Sequence, residues 1–252
     1  MRFPASFVLS AAAAALLVCA GARVSAQAGS SSSSSGVQTQ SPTSQPNPAY
    51  VSIDPLANVR YDQKWDLSVE VAYQHLKAGP NLLQGANLGG LNVNGSYYLA
   101  KRWRLEGTVR PFFGTSGAAP NTFINSAGQQ ESIQGPFIAE YLFAAGPEFL
   151  GPHNKHGDIM LHVLAGGAYG NFEHDLRGQS PELVGFYNNQ VAPLFIAGGH
   201  IDLNRSAHWV FRMSPDATIT HYGINYGQKY RQWDFNAAFS VGVEYKFAKN
   251  RK

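Results

Sequence analysis

Imidazoles and carboxylates are the side chains whose spacing in this sequence most plausibly supports chemistry. His162 and His200 fall on two neighbouring predicted strands. Each lies four residues from the short-turn end of its strand, and both share the inward phase with Asp202 and Glu148 close by. Imidazole beside carboxylate titrates near neutral pH or ligates a metal. The plainer expectation is a hydrogen-bonded pair that fills an interior. That reading is preferred, so no catalytic, cofactor-binding or metal-ligating residue is assigned. His153 and His156 flank Asn154 in a predicted turn and lack a third ligand, which favours a solvated turn. His174 and Asp175 sit in a predicted loop and read the same way. Ser180 with His174, or Ser132 with His221, are hydroxyl–imidazole candidates. A nucleophile needs the ring within hydrogen-bond reach and an oxyanion site beside it, and these residues are scattered over long connections. No Gly-x-Ser-x-Gly elbow, Walker loop or zinc-protease helix occurs. The one cysteine, Cys19, lies in the expected signal peptide, so disulfide and thiol chemistry are not expected of the mature chain.

The elements that must position these groups are strands. From Trp65 onward apolar residues recur with period two. In the last segment Trp233, Phe235, Ala237, Phe239, Val241, Val243, Tyr245 and Phe247 form one face. Asp234, Asn236, Ala238, Ser240, Gly242, Glu244 and Lys246 form the other. Continuing the pattern predicts eight strands, at about 65–76, 87–100, 103–114, 136–150, 158–170, 190–204, 207–220 and 232–247. Short turns follow strands two, four and six, whereas the connections over 77–86, 115–135, 171–189 and 221–231 are longer. Pro111, Pro147, Pro193 and Pro215 interrupt the pattern and are expected at bulges or strand ends.

Composition narrows the class. Charged residues make up 14% of the chain, with 15 Phe, 12 Tyr, 4 Trp and 26 Gly, which suits strands in lipid better than a solvated surface. The net charge of +3 carries no nucleic-acid footprint, and no nucleic-acid partner is expected. Residues 1–26 read as a secretory signal peptide: Arg2, an apolar run from Ala11 to Val18, and Val24-Ser25-Ala26 as a cleavage site. Residues 27–60, with the Ser30–Ser35 run and Pro42, Pro46, Pro48 and Pro55, read as a disordered lead. Residues 61–252 are then the barrel domain.

Alternation alone does not separate a membrane barrel from a soluble lipocalin-like one. The polar face mixes charges with Gly, Ala and Ser, which suits a narrow lumen. The apolar face places Trp65, Trp103, Phe149, Tyr169, Trp209, Trp233, Tyr245 and Phe247 near strand ends, as membrane girdles require. The expected fold is therefore all-β, an eight-stranded antiparallel up-and-down transmembrane β-barrel of the cell outer membrane. Its lumen would hold Asp66, Glu70, Arg104, Glu106, Arg110, Glu140, Glu148, His162, His200, Asp202, Arg212, Asp216, Glu244 and Lys246. Carboxylates outnumber Arg and Lys in that set, so some must be protonated, hydrated or bonded to neutral donors.

The closing segment Val241-Gly242-Val243-Glu244-Tyr245-Lys246-Phe247 is similar to the aromatic-ended last strand of small outer-membrane barrels, and residues 61–247 resemble the OmpA/OmpX type. Ala248–Lys252 extends beyond the aromatic end, where barrel-only members of that type tend to stop. The resemblance implies outer-membrane lipid and lipopolysaccharide as surroundings and the barrel assembly machinery as a partner during biogenesis. It favours a structural or surface-interaction role, with a possible surface ligand held by loops 115–135 and 171–189 through Phe123, Ile124, Phe172, Phe186 and Tyr187. A small porin-like passive channel and a lipid A-modifying enzyme are the alternatives. The chain carries no motif of the lipid A deacylases, so no enzymatic activity and no cofactor are expected.

Overall fold

A computed structural model describes residues 54–80, 85–116, 121–124, 127–133, 135–224 and 230–247. The signal peptide expected over 1–26, most of the lead expected over 27–60, and residues 248–252 lie outside the described residues. In chain order the elements are β1 (Trp65–Leu76), β2 (Ala86–Ala100), β3 (Trp103–Ser116), β4 (Asn121–Ile124), β5 (Gln130–Ile133), β6 (Phe137–Asn154), β7 (Gly157–Asn171), the single turn α1 (Pro181–Val184), β8 (Gln190–Asn204), β9 (Trp209–Thr220), β10 (Gly223–Ile224), β11 (Tyr230–Arg231) and β12 (Asp234–Lys246).

Eight of these strands close on themselves in the order β1-β12-β9-β8-β7-β6-β3-β2. Every neighbouring pair is antiparallel, and the seam is made by β1 against β12, from Asp66↔Lys246 to His75↔Ala237. Closure leaves no unpaired sheet edge. The two remaining pairs, β4–β5 and β10–β11, are small hairpins in the long connections. Period-two sequence dictates the faces: along β1 the burial alternates without a break from Trp65, exposed, to Leu76, buried.

The four prolines correct the sequence expectation. Pro111 stays in register with Tyr141 on β6, inside a ladder that runs unbroken from Trp103↔Phe149 to Thr115↔Phe137. On its other side the β2–β3 ladder lapses between Gly90↔Phe112 and Val93↔Val109. Pro147 and Pro215 coincide with similar lapses, in β6–β7 between Ala145↔Ala165 and Glu148↔His162, and in β8–β9 between Gly198↔Asp216 and Ile201↔Met213. Pro193 lies just beyond the first β8–β9 pair, Leu194↔Thr220. A missing N–H removes a donor toward one neighbour only, so the strand continues on the strength of the other. The register shifts occur elsewhere, at Tyr98/Ala100 and Leu150/His153.

The outer surface decides the solvent. Trp65, Leu67, Val69, Val71 and Tyr73 of β1 are 43–53% exposed, and Leu105, Val109, Phe143, Leu161, Val163, Phe195, Phe239 and Val243 continue the apolar surface around the barrel. Meanwhile Arg104, Arg110, Arg212, Glu106, Glu148 and Glu244 are buried. An apolar exterior this extensive is not tolerated in water, whereas lipid requires it. Two aromatic girdles bound it. Trp65–Tyr97, Trp103–Phe149, Trp209–Tyr245 and Tyr245–Phe247 lie at 4.5–5.1 Å on the short-turn rim. Phe113–Tyr141, Tyr141–Tyr169 and Phe195–Trp233 lie at 5.6–6.2 Å toward the other. By the loop-length asymmetry the short-turn rim is periplasmic and the long-loop rim external.

Candidate functional site

The interior is built in three storeys. At the periplasmic end is an ionic floor. Arg212 donates from Nε and Nη2 to the two oxygens of Asp202 at 2.8 and 2.7 Å and lies 3.1 Å from Glu244. Arg104 donates to Asp66 at 2.6 Å, and Lys246 pairs with Asp158 at 3.5 Å. Below it the segment before β1 closes the mouth. The Tyr61 hydroxyl donates to the Asn154 carbonyl at 2.7 Å and accepts from Asn204 at 2.7 Å, and Lys246 Nζ stands 4.6 Å over its ring. Burial, with Asp158 nearby, pushes the Tyr61 phenol up. Asp54 reaches Lys155 on the turn at 3.3 Å. The Leu56 backbone N–H and Lys155 hold the Asp54 carboxyl below its ordinary range.

The middle storey contains the histidines. His162 Nδ1 and His200 Nε2 approach to 3.2 Å. His162 Nε2 bonds Asp216 at 3.0 Å, His200 Nδ1 bonds Ser214 at 2.7 Å, and Asp216 is held by Arg110 at 2.5 Å. Glu106 sits against both rings, 2.8 Å from His162 Nδ1 and 3.3 Å from His200 Nε2. The two histidines meet as the sequence predicts, with Glu148 and Asp202 nearby, but neither of these carboxylates bonds the rings. Asp202 is engaged by Arg212, and Glu148, the register partner of His162, makes no hydrogen bond. Asp216 reaches His162 from β9 past Gly198, which stands between them in register, and Glu106 comes from β3, beyond β6.

Glu70 and Glu140 show how the surplus of carboxylates is accommodated. Glu70 accepts from Ser68, Asn94 and Ser214 at 2.8–2.9 Å, and from Ser240. Glu140 accepts from Gln74 and Tyr222, each at 2.9 Å. All fourteen predicted lumen residues are buried.

The external storey departs from the expected polar lumen. Leu76, Leu88, Phe112, Ile138, Leu142, Leu164, Leu194 and Ile196 point inward and form one apolar cluster. The loop between β7 and β8 folds into it: Phe172, Leu176, Val184, Phe186 and Tyr187 are buried there, together with Tyr222. Phe172 stacks edge-on against Tyr222 at 5.1 Å, and the Tyr187 hydroxyl donates to Asp234 at 2.6 Å. The expectation that Phe172, Phe186 and Tyr187 are exposed contacts is therefore corrected: these rings plug the barrel because burial gains them more than solvent exposure. Ile124 is 75% exposed, and the Phe123 side chain is not described.

The hydroxyl–imidazole candidates do not converge. His174 bonds Asp175 at 3.0 Å, and His221 stacks on Trp233 at 4.5 Å with its Nδ1 unbonded. His153 bonds the Gly151 carbonyl at 3.0 Å in the exposed turn.

Neither a protein-family model nor a curated protein matches the sequence. Solved structures do resemble it. The outer membrane protein OprG from Pseudomonas aeruginosa is 12% identical with a TM-score of 0.49, over 76% of this chain and 99% of that one. Neisserial surface protein A is 12% identical with a TM-score of 0.48, over 73% and 97%. The attachment invasion locus protein Ail of Yersinia pestis is 18% identical with a TM-score of 0.43, over 74% and 100%. At these identities and scores the fold rests on the geometry of this chain itself: eight antiparallel strands closed without an edge, an apolar belt outside, ion pairs inside, and long loops on one rim. In that architecture the protein has the fold of a small eight-stranded outer-membrane β-barrel, similar to the OmpA/OmpX type.

Proposed function

We propose that the protein is a sealed structural barrel that presents its external loops at the cell surface, and that it is neither a channel nor a lipid-modifying enzyme. The observation that carries this reading is the lumen. An ion-paired floor, a hydrogen-bonded middle and an apolar plug of Phe172, Phe186, Tyr187 and Tyr222 succeed one another along the axis. An eight-stranded barrel is filled by its own side chains, and an apolar constriction opposes hydrated ions. The surface contact falls to the β4–β5 hairpin. Its base is fixed by Ile133 in the core cluster while Ile124 projects into solvent. Lipopolysaccharide is the neighbour that the outer girdle fits, and the aromatic end of β12 is the segment offered to the assembly machinery. Recording in planar bilayers tests the proposal. The expected trace is flat at all voltages short of membrane breakdown, and stable unitary conductance steps would contradict it.

A further inference from the structure

The middle storey supports a further reading beyond that sealed-barrel role. Ser214 donates its proton to Glu70 at 2.8 Å, so it accepts from His200 Nδ1. Asp216, a carboxylate, accepts from His162 Nε2. With those protons assigned, His162 Nδ1 and His200 Nε2 turn their remaining positions toward each other and toward Glu106. The three ligand atoms lie within 4.8 Å of one another, and all three residues are buried. His162 Nδ1 lies 3.2 Å from His200 Nε2, and the two Glu106 oxygens divide between the rings, Oε2 at 2.8 Å from His162 Nδ1 and Oε1 at 3.3 Å from His200 Nε2. Three ligands at about 2.0–2.1 Å from a tetrahedral zinc are separated by about 3.3 Å.

From this we infer that Glu106, His162 and His200 form a buried site for a single divalent cation of the zinc class. Two further observations support it. The buried Glu106 Oε2 meets His162 Nδ1 at 2.8 Å in an ion-pair contact not aligned as a hydrogen bond, so it stands beside the ring nitrogen that a cation would take. In addition, the charge around the site is unbalanced. Arg110 is taken up by Asp216, and among the described residues neither lysine nor arginine forms a salt bridge to Glu70, Glu106 or Glu148. The outer contacts have the form that orients metal-bound imidazoles: a carboxylate on one ring and a hydroxyl on the other. Bound there, the ion replaces whatever proton the two nitrogens share. It ties β3, β7 and β8 together across the lumen, and the residues on β9 hold both rings in place. Borderline nitrogen donors with one carboxylate suit zinc better than calcium or magnesium.

The test uses the untagged protein refolded in detergent with zinc chloride, freed of excess metal and analysed by mass spectrometry for bound zinc. One zinc per folded barrel is expected. Glu106→Gln and His200→Asn are each expected to lower retained zinc at least tenfold, whereas the exposed-turn variant His153→Ala/His156→Ala retains it. Refolding with cobalt gives a second reading on the unaltered chain, in case a lumen variant does not fold. An intense visible band from a tetrahedral ion is expected. The inference is overturned if the wild type retains no zinc, if the turn variant loses it, if the folded lumen variants keep it, or if cobalt shows only the weak spectrum of a six-coordinate ion.

Discussion

Arg212 gives the sharpest test of whether the floor is dry. Its guanidinium makes a two-point bond to Asp202 and a third contact to Glu244, and all three side chains are fully buried. Arg212→Met keeps most of the volume but strands two carboxylates. Removing one partner of a buried pair costs about 3–5 kcal/mol, because the other charge is left uncompensated. At about 1.4 kcal/mol per factor of ten, that lowers the folded-to-unfolded ratio by two to three and a half orders of magnitude. Replacing all three groups, Arg212→Met with Asp202→Leu and Glu244→Leu, removes the charges together, so most of the loss should be recovered. The assay is denaturant unfolding of the barrel in lipid vesicles, followed by tryptophan emission. A cost under about 1 kcal/mol for Arg212→Met would show that water reaches the floor and would refute the reasoning. A triple variant no better than the single one would refute it as well.

Three other outcomes follow from the plug and its anchor. Phe186→Ala opens a hole in the external cluster and should cost about 3–5 kcal/mol in the same assay. Gly79 passes so close to Gly185 that a Cβ there would stand 1.8 Å from its carbonyl oxygen, and Gly185 itself has a φ of 80°. Gly79→Ala should therefore push the Phe186–Tyr187 segment outward, costing about 1–3 kcal/mol and exposing residues 172–189 to protease. Asp175 accepts the Phe137 backbone N–H and bonds His174, each at 3.0 Å. Partial burial pushes its carboxyl up, but these two bonds hold it below 3.8. Its anchoring is thus complete above pH 3.8 and lost as the pH falls through the lower folded value. Protease sensitivity of the loop should rise only on that acid side, and Asp175→Asn should abolish the pH dependence.

The strands were legible because one face of each touches lipid, and alternation survives wherever the other face is polar. That made β1 and β12 readable almost to the residue. It also explains what was hidden. In the external half both faces are apolar, as at Phe112-Phe113, Leu142-Phe143 and Phe195-Ile196, so period two no longer marks the lumen as polar or dry. The loop rings that fill this half looked like surface contacts, because nothing local distinguishes a ring that folds inward from one that projects. The histidine pair was legible from its phase on adjacent strands. Glu106 was legible as a lumen residue, but its contact with the pair was not, because β6 lies between β3 and β7 and the contact does not run along one ladder.

The central claim is a closed barrel held in the outer membrane by its apolar belt. Gel mobility of the protein from washed outer membranes, with and without boiling, tests it most directly. The account predicts that the protein stays with the membranes after the wash and that the unboiled form migrates apart from the boiled one. A protein released into the soluble fraction, with one mobility in both states, would contradict it.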